Sequence, residues 1–329
     1  MNGMPSVPAS VALAIAAMTG SAWGQTAGAQ GYPNRSIRLL MPFPAGGTPD
    51  ALARTLAGQV ESQLGQNIVV DNRTGANGVI AYELTAKAAP DGYTLVHATP
   101  SFALNTLIFR KLQYSLKDFA PVTNIAQGFG YLLLVHPSVS ATSIRELIAL
   151  AKSKDKPLAY GTPGVGNTLH LATELFNARS GMNMLHVPYK GVAPALTALL
   201  GGEIQLMIVQ PPAGVAQAKA GKLRALAFTG AKRWDGMPDV PTISESGLPG
   251  FVVHFTWNAW YAPAKTPRDI VLRLQTEVQK ALQVTKVREF FVNGGWEPLG
   301  SSPEALRTYV DAELKRYAEA VRVAKIQPE

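Results

Sequence analysis

The sequence predicts an α/β protein of two lobes, each a mainly parallel sheet flanked by helices. Three observations carry this. From residue 32 onward short β-rich runs alternate with helical patterns, the signature of parallel strands joined by crossover helices. The chain has 329 residues and 47% apolar content, more than a single core usually organises. Two Gly-rich, Pro-bearing loops, one in each half, interrupt apolar runs and lead directly into helical patterns.

Taken in order, the apolar run Ile37 to Met41 reads as a strand, and Pro42-Phe43-Pro44-Ala45-Gly46-Gly47-Thr48-Pro49-Asp50 turns it into an amphipathic helix over Ala51 to Leu64. Thr48 is placed as N-cap hydroxyl before a proline at the first helical position, the arrangement helix starts prefer. Strands follow at Ile68 to Asp71 and Thr94 to Ala98, with a helix over Val79 to Lys87 between them. The next series comprises strands at Tyr131 to Val135, Leu158 to Tyr160, Met184 to Val187, Leu206 to Val209 and Ala225 to Phe228. Its helices span Ser143 to Ser153, Leu169 to Ser180, Ala193 to Leu200 and Ala213 to Ala220. Here the second loop, Gly161-Thr162-Pro163-Gly164-Val165-Gly166-Asn167-Thr168, stands between a strand and a helix. Two helices close the chain, Pro267 to Gln283 and Pro303 to Ala324, the latter capped by Ser302 ahead of Pro303.

Texture changes near residues 125 to 135 and again near 250 to 262. The two C-terminal helices have no sheet of their own and must pack on the first lobe. The expected division is a discontinuous lobe 1 of residues 32–130 plus 255–329, and a lobe 2 of residues 131–254, with two crossings that form a hinge. Residues 1 to 30 contain no Lys, Arg, Asp or Glu, and Val11 to Met18 is a short apolar core followed by Ala22-Trp23-Gly24. Residues 1–29 therefore read as a secretory signal peptide, cleaved near Gly24 or Ala29, although the usual positive start is missing. No later stretch reaches the 18 apolar residues of a spanning helix, so a soluble exported protein is expected.

Composition excludes several chemistries. Without cysteine there are no disulfides, thiolate metal sites or Cys nucleophile. An excess of 30 basic over 22 acidic residues favours acidic small molecules, while no Lys/Arg run with interleaved aromatics marks a nucleic-acid footprint. The first loop lacks the Gly-Lys-Ser/Thr ending of a phosphate-binding P-loop. There is no Gly-x-Ser-x-Gly elbow and no His-Glu-x-x-His, nor a pair of carboxylates placed for acid–base work, so no catalytic residue, metal or cofactor is expected.

What remains is binding. In open parallel sheets ligands sit outside the carboxyl ends of strands, where backbone N–H groups and helix dipoles converge. Four loops qualify: the two Gly-rich joints, Thr99-Pro100-Ser101 leading toward Asn105, and Gln210-Pro211-Pro212. Phe43 stands exposed in the first loop unless it covers a ligand or packs on its own lobe. His170 falls in the first turn of the second site helix, either as a ligand contact or as a surface residue. His136 and His186 flank prolines and read as structural, and Trp257 and Trp260 read as interlobe packing before ligand stacking.

These residues also resemble a family. Tyr32-Pro33 to Ile37, Pro42-Phe43-Pro44-Ala45-Gly46-Gly47, Ala89-Pro90-Asp91-Gly92-Tyr93-Thr94, Val187-Pro188-Tyr189-Lys190-Gly191, Leu199-Leu200-Gly201-Gly202, Ala220 to Ala227 and Asp239-Val240-Pro241-Thr242 are similar, in this order, to the Bug proteins. Those are periplasmic solute-binding proteins of tripartite tricarboxylate transporters. The resemblance implies a periplasmic binding protein of the Venus-flytrap type. It would be a monomer that delivers an organic acid to integral membrane permease subunits. It nominates Phe43, Ala45, Gly46, Gly47 and Thr48 on one side of the cleft and Gly164, Gly166, Asn167, Thr168 and His170 on the other. Thr99, Ser101, Asn105 and Gln210 complete the expected ligand-binding set. Family members that take amino acids place an Asp where this chain has Gln210, so a mono- or dicarboxylate, aliphatic or aromatic, without an ammonium group is expected. No arginine stands in the cleft loops, which argues against a need for highly charged tricarboxylates. The rivals are an enzyme acting on a small acid through Ser101 or His170, and a ligand sensor feeding a two-component system. A third, the effector half of a cytoplasmic regulator, finds no room for a helix-turn-helix module before the first strand.

Overall fold

The computed structural model describes residues 3, 31–153, 156–254, 256–323 and 326. The expected leader, Gly3 apart, lies outside the described residues, as does Ala324 at the end of the last helix.

In chain order the elements are β1 (Ile37–Met41), α1 (Thr48–Leu64), β2 (Ile68–Asn72), α2 (Val79–Ala86), β3 (Thr94–Ala98), α3 (Ser101–Ile108), β4 (Phe119–Gly128) and β5 (Leu132–Val135). There follow α4 (Ile144–Ser153), β6 (Ala159–Thr162), α5 (Thr168–Ser180), β7 (Leu185–Pro188), α6 (Val192–Leu200), β8 (Leu206–Val209), α7 (Pro211–Lys219) and β9 (Arg224–Phe228). The chain closes with α8 (Ile243–Ser246), β10 (Trp257–Pro263), α9 (Arg268–Gln283), α10 (Thr285–Asn293), β11 (Trp296–Pro298) and α11 (Pro303–Val323).

Local chemistry explains the main helix boundaries. Helix α1 buries Leu52, Ala53, Leu56, Ala57 and Val60, one stripe at helical spacing, and stops at Gly65, whose left-handed φ of 66° lets its N–H reach the Glu61 carbonyl. At its start the N-cap is Gly47 rather than Thr48, which is already the first helical residue and makes no side-chain cap. Ser302 does cap α11, its Oγ accepting the Ala305 N–H at 3.1 Å.

Two mixed sheets result, flanked by helices, so the α/β class holds. The six-stranded sheet runs β11-β4-β10-β3-β1-β2, with β1 parallel to β2 and β3 and with β10 antiparallel to β3 and β4. The five-stranded sheet runs β7-β6-β8-β5-β9, with β6 parallel to β7 and β8 and with β5 antiparallel to β8 and β9. Strands β4, β10 and β11 escape the sequence pattern and supply the antiparallel pairing of the first sheet. All seven residues of β10 are buried, which removes the alternation that marks a half-buried strand.

Helices α1 and α9 cover one face of the six-stranded sheet, packing Leu52, Leu56, Ile270 and Leu274 on Leu39, Leu95 and Trp260. On the other face Tyr82, Phe102, Leu306 and Tyr317 join a cluster that continues without a break to Leu133, Tyr160 and Ile208 of the five-stranded sheet. The C-terminal helices thus pack on the first sheet, as expected. Trp257 belongs to the shared cluster, its Nε1 donating to Tyr317 Oη at 2.8 Å. Trp260 lies within the first core and is not interlobe packing.

Candidate functional site

Parallel pairing brings loops to common edges. In the first sheet β1 and β3 are neighbours, so the loop into α1 and the segment Thr99–Ser101 into α3 leave the same edge. In the second, β6 lies between β7 and β8, which places the loop Pro163–Asn167 between Tyr189–Gly191 and Gln210.

The first loop is held by polar side chains outside it. Asp50, buried in the first turn of α1, accepts the Gly46 N–H at 3.0 Å, Arg54 Nε at 2.9 Å and Asn72 Nδ2 at 2.9 Å. Asn72 Nδ2 also donates to the Phe43 carbonyl at 2.8 Å. Burial alone would raise the Asp50 pKa; the hydrogen bonds from Arg54, Asn72 and Gly46 and the Arg54 charge outweigh it and hold the carboxyl below its usual range. Gly46, at φ +84°, needs glycine there. Phe43 is half-buried and packs against the first core. Ala45, Gly46 and Gly47 are exposed.

Thr99, Ser101 and Asn105 are all buried. Thr99 Oγ1 and Ser101 Oγ lie 3.1 Å apart, and Ser101 Oγ lies 3.0 Å from Tyr82 Oη, so these hydroxyls serve one another. Neither a histidine nor a carboxylate is among the described partners of Ser101, and a serine without a base is a poor nucleophile.

The second loop is built differently. Asn167 is the N-cap of α5, its Oδ1 accepting the N–H groups of Leu169 at 2.9 Å and His170 at 3.0 Å while its Nδ2 donates to the Gly164 carbonyl at 2.8 Å. The Gly166 N–H donates to His170 Nδ1 at 3.1 Å. His170 is buried, its ring stacked on His186 at 4.1 Å between centroids, and His186 is stacked in turn on Tyr160 at 4.9 Å. Burial pushes the His170 pKa down to about 3, with the charge of His186 adding to the effect, and pushes that of His186 down to about 4.

The segment Ala76–Gly78 joins the two sides. Asn77, in a left-handed conformation at φ 52°, donates from Nδ2 both to Asn105 Oδ1 at 2.8 Å and to the Gly166 carbonyl at 3.0 Å. Asn105 Nδ2 returns a bond to the Asn77 carbonyl at 3.2 Å. A Cβ on Gly166 would collide with the Ile108 side chain, so this loop lies directly on α3. A Cβ on Gly78 would meet Pro42 Cβ at 2.9 Å, which places the same segment against the start of the first loop.

The structure therefore joins Asn105, Gly166, Asn167 and His170 through described contacts, with the Phe43–Thr48 loop reached through Gly78 and Pro42. Gln210, half-buried at the N-cap of α7, makes no described side-chain bond to the others. Asp50, Asn72 and Asn77 are the residues sequence reasoning missed, and His186, read there as structural, packs against His170. Only Asn77 carried a signal, the Asn-Gly pair that marks a turn. Among the described residues no group of three or more His, Asp or Glu could hold a metal ion, and no helix is long and apolar enough to cross a membrane.

Known proteins resemble this chain in sequence and fold. Residues 52–325 match the tripartite tricarboxylate transporter family receptor. Protein BugT of Bordetella pertussis is 37% identical over 294 residues, 88% of this chain and 90% of its own. A solved R. palustris protein with adipate superposes with a TM-score of 0.86 at 39% identity, covering 91% of this chain and 100% of its own. MatC from Rhodopseudomonas palustris, with bound malate, superposes at 0.79 with 31% identity, over 88% of this chain and 100% of its own. The resemblance read from the motifs holds over nearly the whole length. With its sheets, its paired helix-start loops and these relatives in agreement, this chain belongs to the tripartite tricarboxylate transporter receptor family of solute-binding proteins.

Proposed function

We propose that the protein is an exported receptor that captures a mono- or dicarboxylate without an ammonium group between its two sheets and hands it to the permease subunits of a tripartite transporter. The lobes are residues 32–130 plus 255–329 and residues 131–254, the leader is removed, and the protein works as a monomer in the periplasm. It binds rather than turns over its ligand. One observation carries the reading: glycine-bearing helix-start loops on two different sheets meet at the segment Ala76–Gly78, where Asn77 bonds Asn105 and Gly166 and Gly78 lies against Pro42. The adipate and malate held by two structural neighbours support the carboxylate class. Gln210 at the start of α7 is uncharged and gives no partner for an ammonium group.

Ligand contacts are assigned to Gly47, Thr48 and Ala45 on one side and Gly164, Thr168 and Gln210 on the other. Among the described hydrogen bonds the N–H groups of Gly47, Thr48, Val165 and Thr168 have no protein acceptor. A helix start contributes about 0.3–1 kcal/mol toward an exposed anion, and each neutral hydrogen bond about 1 kcal/mol net, so several of them must act together to hold a carboxylate. Thermal unfolding with adipate, malate, benzoate, citrate and aspartate tests this. A carboxylate at 100 times its Kd stabilises by about 2.7 kcal/mol. Adipate, malate or benzoate should raise the midpoint and aspartate should not; a panel with no response, or with aspartate in the lead, refutes the assignment.

A further inference from the structure

We infer that His170 and His186 act together as positioning residues for the second loop, a stacked pair of imidazoles that pins each end of the segment Thr162–Gly166. This rests on the proposed function only in that the loop is taken to touch ligand. His186, on β7, lies 2.6 Å through Nε2 from Thr162 Oγ1, and Thr162 Oγ1 donates to the Gly164 carbonyl at 3.0 Å. The hydroxyl's proton is thereby used, so it accepts from His186, whose proton sits on Nε2. At the other end the Gly166 N–H needs an acceptor, so His170 Nδ1 is bare and its proton is on Nε2.

The two rings lie within 14° of parallel. Tyr160 extends the stack at 16° to His186, and its hydroxyl donates to Glu174 of α5. One end of the loop is thus referenced to β7 and the other to α5, and the stack keeps those references in register. A loop with Gly164 at φ +139° and Gly166 at φ +73° has little stiffness of its own. Affinity then depends on a neighbour that prepays its ordering. Both rings are held neutral by burial, which lets them stack without mutual repulsion.

Asparagine and glutamine separate the roles, because the Oδ1 of Asn takes the place of Nδ1 and the Nε2 of Gln that of Nε2. The full chain is compared as H170N, H170Q, H186N and H186Q. Calorimetric titration with adipate gives Kd, and hydrogen exchange of the Gly166 amide is followed in unliganded protein. Position 170 should prefer Asn to Gln, and position 186 Gln to Asn, each by about fivefold in Kd, the worth of one hydrogen bond. Gly166 should exchange faster in H170Q than in H170N. Each comparison is between two residues that lack the ring, so lost stacking cancels, and urea midpoints confirm that both partners are folded. Equal affinities within each pair, or Gly166 protection equal in H170N and H170Q, overturn the inference. If wild-type protein shows no adipate binding, the Gly166 exchange alone decides this inference, and the ligand assignment is decided by the full carboxylate panel.

Discussion

Removing the Asn77 side chain tests whether the bridge between the two sheets holds them together. Its Nδ2 reaches Gly166 of the second loop at 3.0 Å and Asn105 within its own side at 2.8 Å. A neutral hydrogen bond is worth about 1 kcal/mol net, and the acceptor left behind on the opposite side adds to the cost where it is buried, as Gly166 is. Asn77→Gly should therefore disfavour the apposed arrangement by about 1–2 kcal/mol. Since apparent affinity scales with the competent population, Kd for adipate should rise by roughly 5–30-fold. Glycine is the informative replacement because Asn77 sits at φ 52°, ψ 34°, which glycine adopts freely. Asn77→Ala should show the same loss of affinity plus about 1–2 kcal/mol of lost stability from the left-handed backbone. Calorimetry gives the affinities and urea unfolding the stabilities. A Kd for Asn77→Gly within twofold of wild type refutes the bridge as a closing contact.

Two further outcomes follow from buried titratable groups. Asp50→Ala deletes the acceptor for Gly46, Arg54 and Asn72 and should cost about 2–3 kcal/mol in urea unfolding at pH 7; a change below about 0.5 kcal/mol would mean that the first loop is held by its prolines alone. His97 is fully buried beside Asn258, and its burial lowers its pKa to about 4, as burial lowers that of His170 to about 3. Both are neutral in the fold and charge only below these values, whereas in the unfolded chain they take up a proton near 6.5. Between pH 6.5 and 4 the unfolded state thus binds up to two more protons at these rings and a third at His186, which burial lowers to about 4, and stability present above pH 6.5 should drain away as pH falls, by up to roughly 4 kcal/mol per pH unit. Urea midpoints at pH 7.5, 6 and 5 that coincide would show that these rings are not held neutral.

Particular residues decide what could be read in advance. Strands β1, β3 and β8 were legible to the residue because short apolar runs are bounded by Pro, Gly and Gln. Strands β4 and β10 were not, since Pro121, Asn124 and Asn258 interrupt them and their pairing is antiparallel to partners far along the chain. The loops likewise announced themselves through glycine and proline, while the side chains that tie them did not: Asn72 lies 29 residues from Phe43, and Asn77 lies 89 from Gly166. Those ties also alter the electrostatic argument made from helix starts alone. Asn167 already satisfies two N–H groups at the head of α5, and Asp50 takes that of Gly46 while adding a negative charge beneath the first loop. An anion there meets the positive end of α1 and the Arg54 guanidinium but also the Asp50 carboxylate, so the net attraction is modest. Under the proposed function, such a cradle predicts one carboxylate at each end of a ligand and tighter binding of adipate or malate than of citrate, and a calorimetric titration in which citrate binds most tightly would refute it.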